Sequence, residues 1–294
     1  MTRFEEVVEA LSFPVSKRPN FYMEKGIAVR GEGCQIVRED RGVSIANVSD
    51  TYGLIPHAYA LKPVLAALDG MGFDLKQHYM DHQGKRVMVK AVSQQGWTIG
   101  NLANGNPDEV RMTLLLSNAY DRTQALKVLV GGYRLVCSNG MVVEHPAFKG
   151  LNVNIKVVHS QNQTKKLDVV ALGNSVAALY GAMEQQASVW RGLRATILKK
   201  SALEAFKLAV LAPVVGERNL DKVADLAFAG KGQDGTLTLW ALYNGVTQHY
   251  SEKVEASKTP VSAHLNLDRK AHDFLDRMNT WVAANESQLV TVNA

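Results

Sequence analysis

The stretch KKLDVVALGNSVAALYGAMEQQASVWRGLRATIL, residues 165–198, places apolar side chains at spacings of three and four for more than thirty positions. That period is helical, and the small residues within it permit close packing. Helical patterns continue with SALEAFKLAVL (201–211), NLDKVADLAFAG (219–230), TLTLWALYNGVTQHYSEK (236–253) and LDRKAHDFLDRMNTWVAANES (267–287). Upstream the pattern is different. GIAVRGEG, GCQIVRE and GVSIANVS are short β-branched runs broken by glycine, with EDRG as the hairpin turn between the last two. FDLKQHYMDH, KRVMVKAVS, EVRMTLLLSNAY, QALKVLVGGYRLVC, MVVEH and NVNIKVVHS continue the strands. A short helix over residues 3–11 precedes them, and one helix interrupts them, LKPVLAALDGMG (61–72), expected to start near Pro63. The fold class is therefore α+β: a mainly antiparallel β core over residues 1–162, then a helical region over 163–294.

The 294 residues suffice for one large domain or two ordinary ones, and 46% hydrophobic against 21% charged residues excludes a disordered chain. The opening MTRFEEVVEALSFP lacks the apolar core of a secretory signal, and no apolar run reaches the roughly 20 residues of a spanning helix. A soluble, cytoplasmic protein is expected, in the host cytoplasm if phage-encoded. Cys34 and Cys137 are too few for a disulfide scaffold or a four-thiolate zinc site, and are expected reduced and packed in strands. The net charge is +5, but residues 111–166 hold eight Lys or Arg against Asp121 and Glu144, a local excess of 8 − 2 = +6. Positive charge is concentrated in the middle third.

That third contains GGYRLVCSNGMVV, residues 131–143. In strand period Tyr133, Leu135 and Cys137 share one face, and Arg134, Val136 and Ser138 the other. Cys137 with Asn139 and His145 or His159 would be the parts of a thiol hydrolase. A small buried thiol is the plainer reading. Arg134 suits either an ion pair with Asp121 or Glu144, or a phosphate contact. Asn139-Gly140 reads as hairpin-turn or bulge chemistry. In HYMDH, His78 and His82 share a strand face while Asp81 points away, so a solvated strand end is preferred to a metal site. HExxH, CxxC, Walker and GxGxxG motifs are absent, and GKGQDGT (230–236) reads as a turn between helices. No catalytic constellation emerges, and neither an enzyme nor a cofactor or metal is expected.

The aromatics interleaved with the basic segment are Trp97, Tyr120, Tyr133 and Phe148. Stacking rings beside cations are how sequence-tolerant single-strand binders work. Tyr133 reads as core, whereas Tyr120, in SNAYDRT, reads as an exposed turn. Arg191, Arg194, Lys199 and Lys200 after Trp190 extend such a groove or form a solvated face near a helix end.

Four stretches, in this order, resemble the phage- and plasmid-associated family catalogued as domain of unknown function 932. VSDTYGLIPHAYALKPVLAAL carries Ser49, Asp50, Tyr52 and Pro56. LLLSNAYDRTQALKV carries Ser117, Asn118 and Asp121. YRLVCSNGMV carries Arg134, Val136, Cys137 and Asn139, with His159 following at a strand end. LWALYNGVTQHY carries Trp240, Asn244, Thr247 and Tyr250. The chain departs from the family pattern at Tyr120-Asp121-Arg122-Thr123, where His-Asp-Gly-Ser is usual. The resemblance implies a mobile-element setting among replication and recombination functions, and no reaction.

The expected function is nucleic-acid binding, as a single-stranded DNA binder or annealing protein acting as a homo-oligomer, with phage replication or recombination proteins as possible partners and no membrane. Arg111, Arg122, Lys127, Arg134, Lys149, Lys156, Lys165 and Lys166 are the expected phosphate contacts, and Tyr120 and Trp97 the stacking rings. The alternatives are a partner-binding protein, such as a host-defence inhibitor or a structural protein, and a cysteine hydrolase using Cys137.

Overall fold

The computed structural model of the chain describes residues 3–81, 83–101, 105–134, 139–140, 155–229, 237–255 and 260–291. It has antiparallel sheets in the N-terminal half and helices in the C-terminal half. Two compact units are built from it. One comprises residues 1–94, 114–129 and 151–180, and the other residues 95–113, 130–150 and 181–294.

In the first unit α1 (Arg3–Leu11) buries Phe4, Val7 and Leu11. Next comes β1 (Val15–Glu24), which the alternation of the sequence does not announce. It pairs antiparallel with β2 (Ile27–Arg38), and β2 with β3 (Val43–Val48). Lys25 and Gly26 both have positive φ, 49° and 85°. Two such residues give a turn whose twist suits a hairpin. Gly33, at φ 71°, comes so close to β3 that an added Cβ would lie 2.7 Å from the Val48 carbonyl oxygen, so only glycine fits. Beyond that point β2 has β1 as its only partner strand among the described residues, and the distal ribbon is two-stranded.

The helix α2 (His57–Gly70) begins six residues before Pro63, which lies inside it. This corrects the expected start. Proline removes one helical hydrogen bond, but Ala60, Leu61, Val64, Leu65 and Leu68 are all essentially buried, and that packing outweighs the loss. The larger sheet follows the order β4 (Phe73–Met80), β5 (Arg86–Asn101), β6 (Pro107–Ala119), β7 (Leu126–Arg134), β8 (Asn139–Gly140), with β9 (Ile155–Val157) also paired to β7. Asn139 and Gly140 face Arg134 and Tyr133 as strand partners and are not the turn the dipeptide suggested. Cys137, His145 and Lys149 lie outside the described residues.

The long helical stretch divides. Ser160 caps a short α3 (Gln161–Lys165), its hydroxyl accepting from the Gln163 N–H, and α4 (Val169–Ala195) follows. Thr196–Leu198, expected as helix, is a strand, β10, paired with β11 (Leu289–Thr291). β-branched Thr196 and Ile197 suit that conformation. Between them, α5 (Leu203–Phe206) runs through a π turn (Lys207–Leu211) into α6 (Ala212–Val215). Such a turn is a known accommodation within helices, and Pro213 comes two residues after its end. α7 (Leu220–Ala229), α8 (Leu239–Glu255) and α9 (Pro260–Ala284) complete the set. In the second unit the fully buried Asp108 carboxylate accepts from Arg194 Nη1 at 3.1 Å and from Trp240 Nε1 at 3.2 Å. A buried charge needs such partners. No helix among the described residues is long and apolar enough to cross a membrane.

Candidate functional site

A connected polar arrangement in the first unit is buried where α2 meets the end of β6. His57, at the start of α2, brings Nε2 to 3.0 Å from the Gly84 carbonyl oxygen and Nδ1 to 3.0 Å from Asn118 Nδ2. Asn118 Nδ2 also donates to the Ile55 carbonyl at 3.0 Å. On the far side Asn118 Oδ1 is 2.9 Å from His159 Nε2, whose Nδ1 lies 3.1 Å from the Gly53 carbonyl oxygen. Tyr52 stacks on His159 at 5.0 Å, and Tyr120 on His57 at 3.9 Å. The Tyr120 hydroxyl accepts from the His57 backbone N–H at 2.8 Å, and the Tyr52 hydroxyl donates to the Ala119 carbonyl at 3.2 Å. Burial pushes both phenols up. Burial also pushes His57 down to about 3, and holds His159 below the usual histidine range. In the second unit His249 is pushed down to about 4, chiefly by burial and then by Lys253.

These lowered values fix a pH dependence. Above pH 6.5 the rings are neutral whether the chain is folded or not. Below it the unfolded chain takes up protons that the folded chain refuses, so stability falls with pH. Between pH 7.5 and 5.5 His57 alone is expected to cost about 1.4 kcal/mol, reckoned from an unfolded value near 6.5. Denaturant unfolding at the two pH values measures it, with His57→Gln flattening the dependence.

The expected phosphate contacts divide between the units. Arg122, Lys127, Lys156, Lys165 and Lys166 belong to the first, and Arg111 and Arg134 to the second, while Lys149 lies outside the described residues. Lys127 and Lys156 are direct cross-strand partners on β7 and β9. Like charges placed opposite each other are destabilising, and among the described residues neither lysine has an ion-pair partner. Lys156, Lys165, Lys166 and Arg122 are exposed. Arg122 has φ 64°, in the left-handed region, at the place where the resembling pattern carries glycine. Asp121 forms the turn around it, accepting from the Thr123 N–H at 3.1 Å and pairing with Arg86 Nε at 2.7 Å. Asp121 is thus engaged with Arg86, and the Arg134 side chain lies outside the described positions. Arg111 pairs with Glu109 of its own strand at 3.8 Å.

Both expected stacking rings are buried. Tyr120 is fully enclosed and Trp97 nearly so. This corrects the reading of SNAYDRT as an exposed turn: the bend begins at Tyr120, but the tyrosine ring is turned into the core and only Arg122 and Thr123 after it are exposed. Among the described residues the exposed aromatics include Phe21 and Tyr22, 63% and 52% accessible, on the β1–β2 ribbon, and Tyr59, 53% accessible, on α2.

A model of the family described as "Domain of unknown function (DUF932)" matches residues 44–272, well over half of the chain. The chain belongs to the DUF932 family. No curated protein and no solved structure matches it. The DUF932 match takes in Tyr52, His57, Asn118, Tyr120 and His159 and the five expected phosphate contacts of the first unit, and leaves the β1–β2 ribbon outside. His57 escaped the reading of the sequence because its ring partners, Gly84 and Asn118, are 27 and 61 residues away. The one signal available was a histidine between Pro56 and an apolar helix. Cys34 is buried, its thiol 3.3 Å from Asp50 Oδ1 and pushed up by burial and by that contact, which makes it a poor nucleophile.

Proposed function

We propose that this DUF932 protein binds single-stranded nucleic acid, as a homo-oligomeric annealing or strand-holding protein of the cytoplasm, in a phage or plasmid setting. The observation that carries the reading is the Lys127–Lys156 pair. Two lysines directly opposite each other on adjacent strands cost stability unless an anion bridges them, and a phosphodiester backbone supplies such anions in series. Arg122 supports the same reading. A side chain in the left-handed region costs roughly 1 kcal/mol or more relative to glycine, so a guanidinium is kept at a position where backbone conformation favours its absence. No nucleophile or metal is needed for strand holding, only backbone contacts that leave base edges free to pair.

One observation favours a second reading, a partner-binding protein. On the two-stranded ribbon Phe21, Met23, Ala28 and Arg30 share one face, and Tyr22, Glu24, Ile27 and Val29 the other. Met23 and Ile27 are 69% and 68% exposed. An isolated hairpin bearing large apolar groups on both faces is marginal alone and suits a protein surface, here that of a second copy. A size measurement separates the two readings. Assemblies that grow or rearrange on adding single-stranded oligonucleotide support strand binding. Assemblies indifferent to oligonucleotide that dissociate when Met23 and Ile27 are changed to serine support the ribbon as the functional surface.

A further inference from the structure

The buried polar line in the first unit has an odd property. It runs Gly84 carbonyl, His57, Asn118, His159, Gly53 carbonyl, with contacts of 3.0, 3.0, 2.9 and 3.1 Å. A carbonyl oxygen only accepts, and both ends of the line are carbonyls. A neutral imidazole offers one N–H and one lone pair, so it passes the donor direction along unchanged. The asparagine amide, with nitrogen on one side and oxygen on the other, does the same. A line of such groups cannot begin and end on acceptors unless one member donates on both sides, and only an imidazolium does so. This holds for any tautomer and for either orientation of the amide. The second Asn118 N–H goes to the Ile55 carbonyl at 3.0 Å, which fixes the amide and leaves His159 as the ring between two acceptors.

We propose that His57–Asn118–His159 is a one-proton switch: a proton taken up on His159 completes all four contacts and tightens the grip of the Gly53 turn on the segment His159–Lys165. With both rings neutral, two lone pairs face each other across one contact of His159, so the junction is one hydrogen bond short. Burial opposes uptake, which places the change on the acid side of neutrality. The surroundings are otherwise uncharged in their immediate contacts. Tyr52 lies against His159. Tyr120 and Phe13 lie against His57. The nearest cation from β2, Arg38, covers Phe13 at 3.8 Å and is paired with Asp40. Asp121 and Arg122 act on Tyr52 with opposite sign. Among the described residues no carboxylate bonds either ring.

The grip is structural. The Gly53 N–H donates to the His159 carbonyl at 3.1 Å, and the Gln161 N–H to the Thr51 carbonyl at 3.2 Å. Tyr52 and Ser160 form an isolated antiparallel bridge. A Cβ on Gly53 would lie 2.5 Å from the Ser160 carbonyl oxygen, so the two backbones are in contact. The gripped segment is flanked by Lys156 and includes Lys165 with Lys166 beside it. In its consequence alone the inference rests on the proposed strand binding: the switch would set how firmly three of the five cations are held.

The test needs no nucleic acid, so its failure and that of strand binding are distinguishable. The full chain, labelled with 15N in histidine and in the backbone, is followed by NMR from pH 8 to its acid limit, with His159→Gln and His57→Gln variants assigning the rings. His159 is expected to gain its second N–H while His57 keeps a single proton on Nε2. The Gly53 and Gln161 amides, corrected for intrinsic rates, are expected to exchange at least threefold more slowly once it has done so. In His159→Gln that slowing is expected to vanish. A second proton reaching His57 first, neither ring charging before the protein unfolds, or His159 charging with amide protection unchanged would each overturn the proposal.

Discussion

Replacing Lys127 and Lys156 together by glutamate is expected to weaken single-stranded oligonucleotide binding by about two orders of magnitude at low salt. Each lost phosphate contact counts for roughly 1 kcal/mol, and repulsion from each new carboxylate adds a smaller amount, so the sum approaches the 2.8 kcal/mol of a hundredfold change. The milder Lys127→Ala/Lys156→Ala pair is expected to flatten the dependence of log affinity on log salt by about 1.4, at roughly 0.7 per neutralised phosphate on a single strand. Single substitutions guard against confusing lost binding with lost structure. Lys156→Glu turns a repulsive cross-strand pair into an attractive one, so the fold is expected to gain a few tenths of a kcal/mol while binding falls. Arg122→Gly relieves the left-handed backbone at φ 64° and is expected to move in the same two directions, with a gain of up to about 1 kcal/mol in stability. Denaturant unfolding and fluorescence anisotropy on the same preparations measure both. Parallel losses of stability and binding would remove the basis for assigning these cations to a ligand.

The largest effect on stability is expected from Asn118→Leu. Asn118 is completely buried and serves three partners: the Ile55 carbonyl, His57 Nδ1 and His159 Nε2. Leucine fills a similar volume and satisfies none of them. Each abandoned buried group costs about 1–3 kcal/mol, so a total near 4–6 kcal/mol is expected, comparable with the whole stability of many domains. The check is the midpoint of denaturant unfolding at pH 7.5. Asn118→Leu unfolding within 1 kcal/mol of the parent would mean that water, and not the amide, serves these three groups.

How much of this was legible beforehand depended on how local the cause was. Period-two runs such as Val43–Val48 and Phe73–Met80 and three-four runs such as Val169–Ala195 carry their conformation in their own side chains, so sheets and helices could be read in order. Val15–Glu24 could not, because Lys17, Arg18 and Pro19 break its alternation, and it is a strand by virtue of pairing with β2. Thr196–Leu198 depends in the same way on Leu289–Thr291, more than ninety residues downstream. The site was less legible still. Composition located the cations without distinguishing Arg111, paired with Glu109, from Lys127 and Lys156, which face each other. The same approach put Tyr120 on the surface because its neighbours are turn formers, although its ring closes over His57. The positive φ of Arg122 has no trace in its own side chain. Asn118 and His159 were marked only by resemblance, and the line they form with His57 is assembled by three segments of the chain meeting in space.

The most direct test of the central claim is a titration of the full chain with a labelled single-stranded oligonucleotide at about 50 and about 200 mM salt. Saturable binding at the lower salt that weakens at least tenfold at the higher is the expected result, since five phosphate contacts at roughly 0.7 each give a slope near −3.5. Absence of binding at the lower salt, or binding that salt leaves unchanged, would contradict it.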